Sequence, residues 1–172
     1  MLAISWFKIL KGRLFTEVKS AVFCKYSVGI CYIISHMNST NYFDTFISVA
    51  EDCPTNVAQF PGPRGDKKTV AQMQYEMIID NPYKYTSDDV LSHVDAERKE
   101  IIISNRDVAR KEYFSKGQPC FRASPLTKRY GWGVHSDSHG KIAIYPVNSK
   151  GYDQHFKNSN LKQLKAMRSE RV

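Results

Sequence analysis

The sequence predicts an α+β fold: a small, mainly antiparallel sheet with about three helices packed on it, formed by one globular domain over residues 37–156. Three observations carry this. Residues 43–50 alternate as a half-buried strand does, and residues 132–146 read as two further strands around a turn of Ser, Asp and Gly. Between them lie segments with apolar residues at helical spacing behind good caps. Hydrophobic residues at 42% and charged residues at 24%, with ten Tyr, nine Phe and two Trp, are values of a folded domain.

Residues 1–36 differ in character from the rest of the chain. They contain no Pro, Asp, Asn or Gln, and they end in a nine-residue apolar stretch, Ser27–Ser35. A membrane helix needs roughly 20 apolar residues, so this stretch does not span. Lys25 interrupts the apolar part and no small-x-small cleavage site comes after it, which argues against a signal peptide. We expect a non-native or disordered extension ahead of a start at Met37, with a peripheral amphipathic segment or a secretory or anchoring role as alternatives.

The strand at Phe43–Ala50 stops at Glu51-Asp52-Cys53-Pro54, and a Pro- and Gly-rich loop comes next, Phe60–Asp66. Asp66 is placed to cap a helix over Lys67–Ile79, whose Val70, Met73 and Met77 recur at helical spacing; Asn81-Pro82 ends it. The basic loop before it can seat an anion at the helix N-terminus, although the P-loop spacing is missing and a plain surface loop is favoured. Thr86-Ser87-Asp88-Asp89 is a capping box opening a helix through Val90, Leu91 and Val94. Ile101-Ile102-Ile103 then reads as that helix's end or as a short buried strand. A further helix is expected over Arg106–Ser115, closing at Lys116-Gly117 with a glycine cap. Ser124-Pro125 opens one helical turn to Tyr130. The strands of the final hairpin are Trp132–His135 and Lys141–Tyr145. Residues 157–172, with Leu161, Leu164 and Met167 among bases, read as a basic amphipathic C-terminal tail.

The net charge of +8 sits on the ends. Residues 1–36 and 157–172 each hold five bases and one acid, while 37–156 holds fifteen of each. A phosphate-binding surface needs a concentrated basic face, so nucleic acid is not expected as a partner. The four cysteines, Cys24, Cys31, Cys53 and Cys120, match no zinc spacing. No metal and no cofactor is expected. Cys53 and Cys120 read as reduced thiols of a cytoplasmic protein.

The stretches MNSTNYFDTFISVAEDCP, GDKKTVAQMQYEMIIDNPYKYTSDDV and KGQPCFRASPLTKRYGWGVH, with GKIAIY after them, resemble a family of small uncharacterised microbial proteins, the domain of unknown function six-one-five-seven. The resemblance covers about residues 37–152, with RYGWGVH its most specific part, and it implies fold boundaries but no activity. In Leu91-Ser92-His93-Val94-Asp95 the chain departs from the more apolar run the resemblance leads one to expect, so Ser92 and Asp95 are positions where packing is in question.

Residues 120–135 concentrate functional side chains. Arg122 and Arg129 offer fork donors to a carboxylate or phosphate, Lys128 adds charge, and Ser124 stands at a helix start. Tyr130, Trp132 and His135 offer a ring face and a hydrogen-bonding edge. Together they suit a small anionic or nucleotide-like ligand, which is the leading expectation. A structural role, with Trp132 as core anchor between close-approach glycines, is the competing one. An enzyme would use Cys120 as nucleophile, His135 as base and Arg122 or Arg129 at the oxyanion, and a second acid–base arrangement would pair His135 with Asp137 or Asp80. The remaining alternative is a protein-interaction module without catalysis, using the amphipathic C-terminal segment.

Overall fold

The computed structural model describes residues 38–169. The expectations for residues 1–36 lie outside them. Strand β1 (Thr45–Ser48) is followed by helices α1 (Val70–Ile79), α2 (Ser87–Arg98) and α3 (Arg106–Tyr113). The short helix α4 (Pro125–Arg129) leads into the hairpin β2 (Trp132–Ser136) and β3 (Ile142–Pro146). Helix α5 (Lys150–Phe156) and strand β4 (Lys162–Lys165) complete the chain. Among the described residues, no helix is long and apolar enough to cross a membrane.

The fold is α+β, with two corrections to the expected detail. The sheet is mixed: its order is β3-β2-β1-β4, with two antiparallel pairings and β4 parallel to β1. Five α-helices, rather than about three, are present among the described residues. One added helix is α4, where a single turn was expected; the other and the parallel strand have one source. Residues 150–165 form a helix and an edge strand, because a parallel return needs a crossover and α5 supplies it. The apolar spacing of Leu161, Leu164 and Met167 suggested a helix face. Strand β4 instead turns Leu164 toward the core, where it packs, and leaves Met167 52% exposed.

All residues of β1 and β2 are buried, because the sheet is covered on both faces. Cross-strand partners share a face. Ile47, Val134, Ile144 and Leu164 are in register and, with Trp132 and Ile142, pack against Ile78 of α1, Val90 and Val94 of α2, and Leu126 of α4. Phe46, His135 and Ala143 share the opposite face, which α5 covers. Gly133 belongs to this second face. A Cβ there would stand 2.7 Å from both the Phe46 and Tyr152 rings, so only glycine lets α5 seat.

Helix starts are set locally, some not where expected. Thr69, not Asp66, caps α1 by accepting from Gln72 N at 3.2 Å, because residues 64–67 close their own turn. The Thr86–Asp89 capping box is fully formed around α2. Ile101–Ile103 neither prolongs α2 nor forms a strand. Glu100, at φ 55°, turns the chain after the Lys99 cap, and Ile103 enters a 3-10 turn 83% exposed. Helix α3 ends on Phe114, which is buried, before Gly117 is reached.

The start of the described chain is tied down by one carboxylate. Buried Asp88, on α2, accepts from Thr40 N at 2.7 Å, Thr40 Oγ1 at 2.6 Å, Ser39 Oγ at 2.8 Å and Asn41 Nδ2 at 3.2 Å. Asn41 returns the contact by accepting from Asp88 N at 2.9 Å. The backbone of 39–41 thus enters β1 from a fixed point. Asp88→Ala is expected to strand these donors and lower stability by roughly 3 kcal/mol or more, read from urea unfolding, with Asp88→Asn losing less.

Candidate functional site

The segment 120–135 is threaded through the fold, and its side chains take separate posts. Ser124 is buried; its hydroxyl donates to Gln74 Oε1 at 2.7 Å and accepts from Leu126 N at 3.2 Å. Arg122 Nε donates to the Lys165 carbonyl at 2.9 Å, clamping β4 to the turn before α4. Trp132 donates from Nε1 to the Gln59 carbonyl at 2.8 Å and meets Tyr75 edge-on at 5.0 Å, so it works as a core anchor. Tyr130 packs on the same core. Lys128 is half-buried and Arg129 exposed, and neither has a side-chain partner among the described residues.

Cys120 and His135 are not joined by a hydrogen bond. Cys120 Sγ lies 3.3 Å from the Tyr42 hydroxyl, and its neighbours Phe121 and Leu126 belong to the core face. His135 points to the other face, where its Nδ1 shares a hydrogen bond with Tyr83 Oη at 2.8 Å. Asp137 spends one carboxylate oxygen on the hairpin turn, accepting from His139 N and Lys141 N, both at 2.8 Å. Asp80 is the C-cap of α1. Among the described residues, no group of three His, Cys, Asp or Glu is placed to hold a metal. Two bases of the C-terminal segment, Lys165 and Arg168, grip Glu51 at 2.6 Å each. Their hydrogen bonds hold its carboxyl down to about 2.

Two arrangements stand out that the sequence did not single out. The first is the face under α5. The imidazoles of His135 and His155 stack at 4.1 Å and 19°, Tyr145 leans on His155 at 4.5 Å, and Tyr83 Oη links His135 to Tyr145 Oη at 2.8 Å. Tyr83 holds φ at 57°, unusual for a bulky side chain. Burial, with His155 beside it, pushes the His135 imidazole down to about 4 against the weaker pull of Asp137 and Asp44. Burial also lowers His155. Burial and the bond to Tyr145 raise the Tyr83 phenol far above its ordinary value. Stacked and hydrogen-bonded in this way, these groups read as a neutral brace.

The second is a cleft of about 380 Å³ between α2 and α3. Met77 of α1, Tyr85 and Ala96 supply its apolar lining. Helix α2 contributes Asp89, Ser92 and His93, and α3 contributes Arg106, Asp107 and Arg110. Arg110 pairs with Asp89 at 2.8 Å and donates to Ser92 Oγ at 3.0 Å. Although burial works to raise it, hydrogen bonds from Thr86 and the Arg110 charge leave the Asp89 carboxyl below its ordinary value. Arg106 bonds His93 Nδ1 at 3.0 Å through Nη1 and pairs with Glu97 through Nη2. Its Nε is enclosed and has no acceptor. The sequence signal for this cleft was the polar run 91–95, where Ser92 takes up Arg110 and Asp95 pairs with Lys99 at 2.8 Å.

Fold and cleft together define a mixed α+β domain that carries a small cleft between α2 and α3. The chain belongs to a family of unknown function (DUF6157), whose model matches residues 37–172, past Tyr152 and through β4. No curated protein and no solved structure matches it.

The histidine stack gives a signed pH dependence. A depressed imidazole binds its proton more weakly in the folded than in the unfolded chain, so its contribution is complete above about 6.5 and is lost as pH falls toward about 4. Urea midpoints are expected to fall over that window. His155→Phe, which keeps a ring on His135 and removes one titrating group, is expected to flatten the slope.

Proposed function

We propose that this domain is a small-ligand-binding module without catalysis, and that the α2–α3 cleft receives a compact ligand bearing a carboxylate. The observation that supports this is Arg106, whose Nε lies enclosed without an acceptor, so that a ligand carboxylate would complete the fork by displacing Glu97 from Nη2. Nε and Nη2 form the side-on fork that a carboxylate meets with two parallel bonds, and here Nη2 alone is engaged. A buried donor without an acceptor costs roughly 1–3 kcal/mol, which a ligand oxygen would recover. The volume falls in the range of small-molecule sites, and the apolar side of the cleft suits a short hydrocarbon body. The cytoplasm, inferred from the reduced thiols, is the proposed setting.

A second reading keeps the anion on the 120–135 segment. It is favoured by Lys128 and Arg129, two cations in the last turn of α4 with no side-chain partner among the described residues. The two readings separate in one thermal-shift experiment on the full chain against a panel of small carboxylates and nucleotides. A ligand at a hundred times its dissociation constant stabilises by about 2.7 kcal/mol, which moves the midpoint by several degrees. Arg106→Gln is expected to abolish the shift while Lys128→Ala with Arg129→Ala preserves it. The reverse pattern would move the site to α4, and no shift with any carboxylate would remove the cleft reading.

A further inference from the structure

Helix α5 sits on the sheet through ring contacts that converge on His155. Its imidazole lies 4.1 Å from that of His135, 4.5 Å from the Tyr145 ring and 5.7 Å from the Phe46 ring. Tyr152 meets Phe46 edge-on at 5.0 Å and accepts from Val49 N at 3.1 Å. The fit is close: a Cβ at Gly151 would stand 2.8 Å from the Tyr145 ring. Few charged or titratable groups face the stack. Tyr83 bonds His135, and Tyr145 leans on His155. Asp137, after β2, and Asp44, before β1, favour a proton on His135, but burial and His155 oppose it more strongly. Lys150, Asp153 and Lys157 around α5 are exposed, as is Lys162 of β4. Two imidazolium rings stacked in a half-desolvated site repel each other, so protonation favours their separation.

The two ends of α5 are held by groups that keep their charge when the imidazoles titrate. At its entry Asn148, with φ at 64°, donates from Nδ2 to the Asn56 carbonyl at 2.6 Å. At its exit β4 is paired to β1, and Lys165 and Arg168 grip Glu51, whose carboxyl, at about 2, stays ionised in mild acid. We propose that α5 is an acid-operated flap: protonation of the His135–His155 stack lifts it from the sheet between two fixed ends. Opening bares Phe46, His135 and Tyr145 while β4 stays on β1. The directional ties that opening breaks are the Tyr152 hydroxyl on Val49 N and the Gln163 amide on the His155 carbonyl, and neither gains strength in acid. The flap is thus a local event, set apart from unfolding of the domain as a whole.

Amide hydrogen exchange on the full chain, read residue by residue at pH 7 and pH 5 and corrected for the intrinsic rate, tests this. An imidazole held near 4 in the closed form and returned to about 6.5 on opening binds its proton better when open, so acid favours the open form. Between the two pH values the opening constant is expected to rise by up to about twentyfold. Val49, whose acceptor is on α5, and Asp153 and Lys157, which close α5 turns, are expected to lose protection by that factor. Ala50, bonded to Thr127 O, and Ala166, bonded to Ser48 O, are expected to keep theirs. His135→Phe with His155→Phe retains both rings and removes both titrating groups, and is expected to abolish the loss. Melting at pH 7 checks that this variant folds, and the contrast of Val49 with Ala50 in the unaltered chain decides the question without it. Equal loss at Ala50 and Ala166 would mean that the whole domain opens, which overturns the flap. Protection at Val49 and Asp153 that ignores acid overturns it as well, as does an undiminished loss in the folded variant.

Discussion

Four residues of β1 hold the molecule together. Thr45–Ser48 is paired on both edges, antiparallel to β2 and parallel to β4, and buried on both faces. A strand so short cannot supply much ladder by itself, so its stability comes from what covers it. Ile47 sends its side chain into the helical side and Phe46 sends its ring under α5. The other elements serve that strand: Asp88 fixes its approach, the hairpin supplies one neighbour, and the C-terminal crossover supplies the other.

The two faces solve the burial problem with different chemistry. The helical side is mainly aliphatic, with Phe121 and the Trp132–Tyr75 pair among it. The α5 side is aromatic and polar, and its groups are joined by stacking and by a hydroxyl–imidazole link. Tyr152 closes that side, its hydroxyl oxygen accepting from Val49 N at 3.1 Å. Gln163 Nε2 then donates to the His155 carbonyl at 2.9 Å and couples α5 to β4. The C-terminal elements therefore stay on the sheet through directional contacts as well as area, and burial favours the neutral form of the stacked imidazoles among them.

Helix α3 stands apart in how it is attached. None of its residues is buried; Arg106 and Arg110 link it to α2, and half-buried Tyr113 packs on the core. Arg110 also lies over the Phe114 ring at 5.6 Å. Exposed ion pairs are weak individually, and a cleft opens beside these between the two helices. Ser92 and Asp95, the polar positions within α2, are the counterpart of this arrangement: they face arginine and lysine, not a core. Polarity that looked like a packing fault is thus a polar contact surface.

Local chemistry was legible in the sequence. The Thr86 capping box, the Ser124-Pro125 helix start, the hairpin around residues 137–140 and the anchoring role open to Trp132 depend on neighbouring residues and short-range geometry, so spacing reveals them. Composition and the motif strings carried the α+β class and the family. The cleft, the histidine stack and the parallel return of β4 depend on residues far apart in the chain. Arg106 meets Glu97 across a turn, His135 meets His155 across a sheet face, and Ile47 meets Leu164 from opposite ends of the domain. Only folding brings such groups within reach. The partner that decides whether a charged or aromatic side chain acts as anchor, brace or binding group is then set by packing, not by its place in the sequence.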